Sequence, residues 1–334
     1  MAGHESVTLG SGAATVIGAG GDTIAAGTST AAFIDAHLGS MAIQIGSSGS
    51  DTIYARTDIA DRNSGAGGNT ITVAAGGSAS ADVILARGDR IDLSGGTGNA
   101  TINAIAGDGA VTLGSGAATV FGGAGDTISI GNSTASFVDA RSGGMSIEIG
   151  STGSDTIYAL ADANDPSSGA GHDTITAYSG GTASANVILA GGDQVDLTGG
   201  FGSATINALA GNDSVKLGAG AATVFAAQGD TVTAGTGSSM IVVGSGAVSV
   251  SLPGGHGAAT IGDVGIFGSD TVTGFTPGQD KIFFSGQDDS PGGSRDQVIA
   301  AQSHPTIGST VLSFPDGTTM TLVGIASVDQ TFFK

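Results

Sequence analysis

Apolar and polar positions alternate along this chain in very short runs. TVFGG, DTISI, SIEIG, DTIYA, NVILA, QVDL and ATINA are typical, and Gly, Ser, Asn or Asp separates them at roughly nine- to eleven-residue intervals. Alternating β-branched runs between turn residues read as strands. No stretch of helical periodicity is long enough to compete. Strands this short bury their apolar sides only by stacking coil upon coil. The predicted fold is all-β, a parallel β-solenoid or β-roll of short strands with a C-terminal β cap.

The runs belong to a longer repeat. Val7 opens VTLGSGAATVIGAGGDTI, Val111 opens VTLGSGAATVFGGAGDTI and Val215 opens VKLGAGAATVFAAQGDTV, 104 residues apart each time. The first two copies align without a gap, and the third follows the pattern to about Val232 before it diverges. This predicts solenoid repeats at 1–110 and 111–214, a divergent third at 215–273, and a cap with a secretion-signal module at 274–334. The last segment carries Phe275, Phe283, Phe284, Phe314, Phe332 and Phe333, the larger side chains a solenoid uses to close its final coil. At the other end MAGHES aligns with the close of a repeat, so the first coil is expected to start uncapped, with an edge free to pair.

Composition narrows the function. With 62 Gly, 4% aromatics and no Trp, the 40% hydrophobic content is mostly Ala, Val and Ile, which fills thin layers and not a wide core. A net charge of -20 from 29 acidic and 9 basic residues argues against nucleic acid, whose phosphates need neutralising. It suits hard divalent cations that take carboxylate and carbonyl oxygens. Cys is absent, excluding disulfides and thiolate metal sites. No apolar run reaches transmembrane length and no N-terminal leader is visible. The five His residues do not recur at equivalent repeat positions, and no nucleophile elbow, zinc helix or phosphate loop appears.

The Gly-Asp turns are the candidate chemistry. GSSGSDTIY, GSTGSDTIY, SGAGHDTIT, its counterpart SGAGGNTIT, and GIFGSDTVT resemble the G-G-x-G-x-D-x-U-x nonapeptide of RTX proteins. That resemblance implies Ca²⁺ held between adjacent coils by turn carbonyls and an Asp, which falls here on Asp51, Asp155, Asp173 and Asp270, with Asp213 from ALAGNDSVK and Asn69 as the neutral partner of Asp51. Asp155 and Asp173 lie 18 residues apart, or two nonapeptides, which would set them on one edge of successive coils. The same residues are equally suited to shaping turns by accepting backbone N–H bonds. The C-terminal DTVTGFTPGQDKIFFSG and DGTTMTLVGIASVDQTFF resemble the terminal module of RTX proteins exported by type I secretion. The implied protein is not an enzyme. It is secreted, calcium-responsive, and structural or adhesive at a bacterial surface or matrix; it self-associates into filaments or layers, and a cell-surface glycan is a further candidate partner. The alternative is the calcium-binding solenoid of a polysaccharide lyase or epimerase, which needs basic residues gathered in a groove.

Overall fold

The computed structural model describes residues 3–58, 60–160, 169–264, 267–304 and 308–334. The chain forms two compact units, Met1–Ala161 with Gly169–Ser184, and Asp162–Ser168 with Ala185–Lys334. Each is a parallel β-solenoid in which successive strands alternate between two sheets. In the first unit Ser6–Thr8, Thr23–Ala25, Ala42–Ile45 and so on to Thr174–Ala177 build one sheet (the first sheet), while Gly12–Ile17, Ser29–Asp35, Ser50–Tyr54 and so on to Ser154–Tyr158 build the second.

The pairing register converts the sequence repeat into coils. Along the first sheet of the first unit, paired residues are 17, 19, 28, 20 and 20 positions apart, and then 17, 19 and 28 again. One 104-residue repeat is therefore five coils, one of them enlarged by a long loop. Each roughly ten-residue beat is half a coil, because the chain crosses from one sheet to the other at every turn.

Inward positions explain the composition. Ile24, Ile43, Ile71, Ile91, Val111, Ile128, Ile147 and Ile175 of the first sheet are buried, as are Ile34, Ile53, Val83, Ile102, Val120, Val138 and Ile157 of the second. One branched residue from each sheet fills the space per coil, so a Trp would have no room. Each such burial contributes about 1.5–3 kcal/mol. At the turn leading into the second sheet the coils stack backbone on backbone. A Cβ on Gly116 would fall 2.1 Å from the Gly98 carbonyl oxygen, and in the second unit one on Gly220 would fall 1.8 Å from that of Gly202.

The second unit ends in a cap, as the Phe-rich tail predicts. Thr319–Val323 pairs parallel with Ser269–Thr273 and antiparallel with Ser309–Ser313, ending the parallel stack. Phe275 stacks on Phe332 at 5.4 Å, and Phe284 packs against Phe314 and Phe333. A short helix, Ser294–Ala300, lies in the same segment.

Candidate functional site

The residues singled out by the calcium resemblance form part of a ladder of buried carboxylates. At the residue before each first-sheet strand an Asp or Asn often stands, and its Oδ1 accepts the main-chain N–H at the same position of the preceding coil. Glu5 donates to Asp22 at 2.9 Å, Met41 to Asn69 at 3.1 Å, Asn69 to Asp89 at 2.8 Å, Gly109 to Asp126 at 2.7 Å and Met145 to Asp173 at 2.8 Å. In the second unit Asp193 donates to Asp213, Asp213 to Asp230, and Val248 to Asp270, at 2.8–3.0 Å. The other oxygen commonly closes its own turn by accepting from residue i−3: Ala19 to Asp22, Ala86 to Asp89, Gly123 to Asp126, Ala190 to Asp193 and Ala227 to Asp230, at 2.7–2.8 Å. One side chain thus ties a turn shut and fastens it to the neighbouring coil. These backbone donors would otherwise be buried without acceptors.

The second sheet uses the same device at Asp51 and Asp155. Asp51 accepts from Ala32 at 3.1 Å and Gly46 at 2.7 Å, and Asp155 accepts from Gly150 at 3.0 Å. Here the structure corrects the expected placement. Asp155 lies on a second-sheet strand, whereas Asp173 precedes a first-sheet strand, so the two are on opposite sheets and not on one edge. Asp51 and Asn69 are separated in the same way. The 18-residue interval spans half a coil plus the long loop, not a whole coil. Of the nonapeptides that carry these residues, Ser168, Gly265 and Ile266 lie outside the described residues.

Burial dominates the electrostatics of the ladder. It pushes Asp126, Asp155, Asp230 and Asp270 up to about 6. Asp213 rises to about 8 through burial, with the charges of Asp230 and Asp193 adding to the effect. Asp22 moves the other way, held below the usual carboxylate range by the amides of Ala19 and Glu5. A calcium ion takes six to eight oxygens; each of the six residues named by the resemblance gives at least one oxygen to an amide hydrogen, while Asp155 Oδ1, Asp213 Oδ2 and Asp270 Oδ2 lie buried without a hydrogen-bond partner. Among the described residues no three His, Cys, Asp or Glu side chains converge as a metal cluster. Asp22, Asp89, Asp126, Asp193 and Asp230 belong to the ladder although they fit the nonapeptide poorly. The signal that finds them is a single Asp directly before a short first-sheet strand, as before Thr23, Arg90, Thr127, Gln194 and Thr231.

The outer faces of the two sheets differ. In the first unit the first sheet presents Ser, Thr, Ala, Gln and charged residues such as Arg90, Asp92 and Glu148. The second sheet presents two in-register rows. One runs Phe33, Thr52, Asp82, Thr101, Thr119, Phe137 and Thr156; the other runs Ile17, Asp35, Tyr54, Ile84, Asn103, Phe121, Asp139 and Tyr158. Phe33, Phe121 and Phe137 are each 36% exposed and Ile17 60%. Phe33 meets Tyr54 at 5.2 Å, and the next repeat places Phe137 with Tyr158 at 6.5 Å. It is the pairing register, which sequence spacing alone does not give, that lines these side chains up on one side.

No family model and no curated protein matches the chain. One solved structure that matches is the crystal structure of a TibC-catalysed, hyper-glycosylated TibA fragment. It is 16% identical, covers 84% of this chain and 96% of that one, and has a TM-score of 0.41.

Proposed function

We propose that this protein is a structural or adhesive β-solenoid of a bacterial surface or extracellular matrix, working through the outer face of its second sheet. The observation that carries the reading is the row of half-exposed aromatic and Thr side chains repeated at 104-residue intervals. Water is a poor solvent for such a row, and aromatic residues are enriched where surfaces meet. Its in-register repetition favours an extended partner, either a surface polymer or a second copy of the same face. Export is supported by the acidic, Cys-free composition and by the RTX-like C-terminal module, which points to a type I route. Among the described residues no helix is long and apolar enough to cross a membrane.

Calcium responsiveness is a separate part of this reading: each carboxylate already serves an amide through one oxygen, and Asp155, Asp213 and Asp270 keep a second buried oxygen without a hydrogen-bond partner. The test combines both parts. Particle size and circular dichroism are measured with calcium and with chelator on the native chain and on a Phe33→Ser/Phe137→Ser variant, together with retention of each protein on bacterial cells. The adhesive reading expects the variant to keep the native spectrum while losing self-association or retention. A variant that assembles and adheres like the native chain overturns it. Ordering that appears only with calcium supports the responsive form, and identical spectra in both conditions remove it.

A further inference from the structure

The first unit contains a cleft of about 940 Å³ at the edge where second-sheet strands turn toward the first sheet, lined by Arg62, Arg87, Asn103, Phe121, Asp139 and Arg141 among others. Its walls and floor follow from the repeat. Arg62 lies on the long loop of the enlarged coil between Tyr54 and Thr70, and Ala170, also lining the cleft, is the repeat equivalent of Ala66. Between them the shorter coils make only tight turns, which leaves a saddle. Its volume falls in the range typical of ligand sites.

The floor is ordered in register. Asn103, Phe121 and Asp139 are consecutive members of one outward row, hence about 4.8 Å apart along the stack. Asn103 Oδ1 accepts from the buried Arg56 guanidinium at 3.0 Å and from the Ile105 amide at 3.3 Å. With the oxygen engaged by two donors, the amide NH₂ is the group turned to a ligand, and Arg56 acts as a positioning residue. Asp139 is engaged by Arg141 through Nε at 2.8 and 2.9 Å, and Arg87 pairs with Asp108 at the rim. The result is an aromatic plate with an amide donor on one side, a carboxylate–guanidinium pair on the other, and two further arginines, Arg62 and Arg87, in the lining.

The arginines are also where otherwise near-identical copies part. Positions equivalent to Arg56, Arg62 and Arg87 one repeat later hold Leu160, Pro166 and Gly191, and the position equivalent to Arg141 one repeat earlier holds His37. The frame is repeated, and the cationic groups are not. In a chain of net charge -20, this local gathering of cations selects for an anion over short range, since screening extends only about 8 Å at physiological salt. Asp139 opposes a densely charged phosphate but accepts hydroxyls well. An aromatic plate, hydroxyl acceptors and donors, and guanidinium forks suited to carboxylate together describe a polyhydroxylated ring bearing a carboxylate.

We propose that this cleft binds an acidic oligosaccharide built of uronate residues, with Phe121 under a sugar ring, Asn103 and Asp139 on its hydroxyls, and Arg62, Arg87 and Arg141 on its carboxylates. The proposal rests on the adhesive reading and names one partner for it. Calorimetry on the full chain with oligogalacturonate, with oligomannuronate and with methyl-esterified oligogalacturonate tests it. The acid forms are expected to bind, and the ester at least about tenfold more weakly, since hydrogen bonds to charged groups contribute at about that scale. The variant Arg62→Gln/Arg87→Gly/Arg141→His uses at two positions the residues that the repeat itself carries, so the fold should tolerate it; binding is expected to fall about a hundredfold. Failure of both acid forms to bind, equal binding of the ester, or unchanged affinity in the variant overturns the cleft assignment. Retention on cells decides between the two levels. If the arginine variant still adheres and no uronate binds, the second-sheet reading stands and the cleft falls.

Discussion

Replacing Gly220 by Ala tests what sets the distance between coils in the second unit. The new Cβ would lie 1.8 Å from the Gly202 carbonyl oxygen and 2.4 Å from its carbon. An ordinary carbon–oxygen approach is about 3.3 Å, so the turns must separate by about 1.5 Å. The flanking bond from the Ala219 amide to the Gly200 carbonyl is 2.9 Å long, and opening it by that much ends it. Overpacking of this kind costs about 1–3 kcal/mol, and a half-buried amide without its acceptor adds about 1–2 kcal/mol. The expected loss is about 2–5 kcal/mol. Gly254→Ala is the control: nothing lies within 4 Å of its Cβ, so its effect should stay within about 0.5 kcal/mol. Urea unfolding gives the midpoints, and hydrogen exchange at Ala219 reports the local opening. Equal midpoints for the two variants, with Ala219 still protected, would refute the idea that this glycine column fixes the spacing.

Further expectations concern the ladder and the cap. Asp173→Ala should cost about 1–3 kcal/mol, because the Met145 amide loses its acceptor, whereas Asp173→Asn should be nearly silent, since Asn69 fills the equivalent place; thermal or urea unfolding distinguishes them. Raised carboxylates bind protons more tightly in the folded chain than in the unfolded one. Stability should therefore fall as pH climbs from about 4 through about 6, the range of Asp126, Asp230 and Asp270, and on toward about 8 because of Asp213. Unfolding midpoints at mildly acid and mildly alkaline pH read this, and Asp126→Asn/Asp213→Asn should flatten the slope. Asp22, Asp92 and Asp196, held low by hydrogen bonds, act oppositely and lose their contribution below about 4. In the second unit His256→Ala removes the ring that sits 3.0 Å from the fully buried Asp280. Leaving a buried carboxylate short of one hydrogen-bond partner costs about 1–3 kcal/mol, here at the low end because the Ala259 and Thr276 amides still serve Asp280; urea unfolding reads it.

The strands and their turns were legible because a period of two and the Gly-Asp punctuation are local signals. So was the cap, because Phe275, Phe284 and Phe332 are the wrong size for the coils. The assignment of turns to sheets was not. A half-coil is about ten residues long, and so is the extra length of the coil between Ile43 and Ile71. Spacing alone cannot tell a strand crossing from an inserted loop, and this set Asp155 and Asp173 on one imagined edge. The arginine cleft was hidden for a related reason. Arg62, Arg87 and Arg141 look scattered in sequence, and only the coil register folds them onto one edge.

That division has a physical origin in how the repeat spends its residues. Each coil fixes its inward Ile or Val, and many coils a stacking Gly and a laddered Asp or Asn, because an error in any of them is felt by the coils on both sides. Outward positions touch little beyond the next residue in their row. Phe33 can face Thr52, Phe121 can face Asn103, and an Asp35–His37 pair can become Asp139–Arg141 with the ladder unchanged beneath. Chemistry can therefore accumulate on one face or one saddle while the frame is copied almost verbatim. The long loop between Tyr54 and Thr70 gives that freedom a location, since its Arg62 and Asn63 line the cleft. Function in such a chain is to be sought where copies disagree on the outside, and calcium-like motifs shared by the first two copies are first to be read as the means by which one coil holds the next.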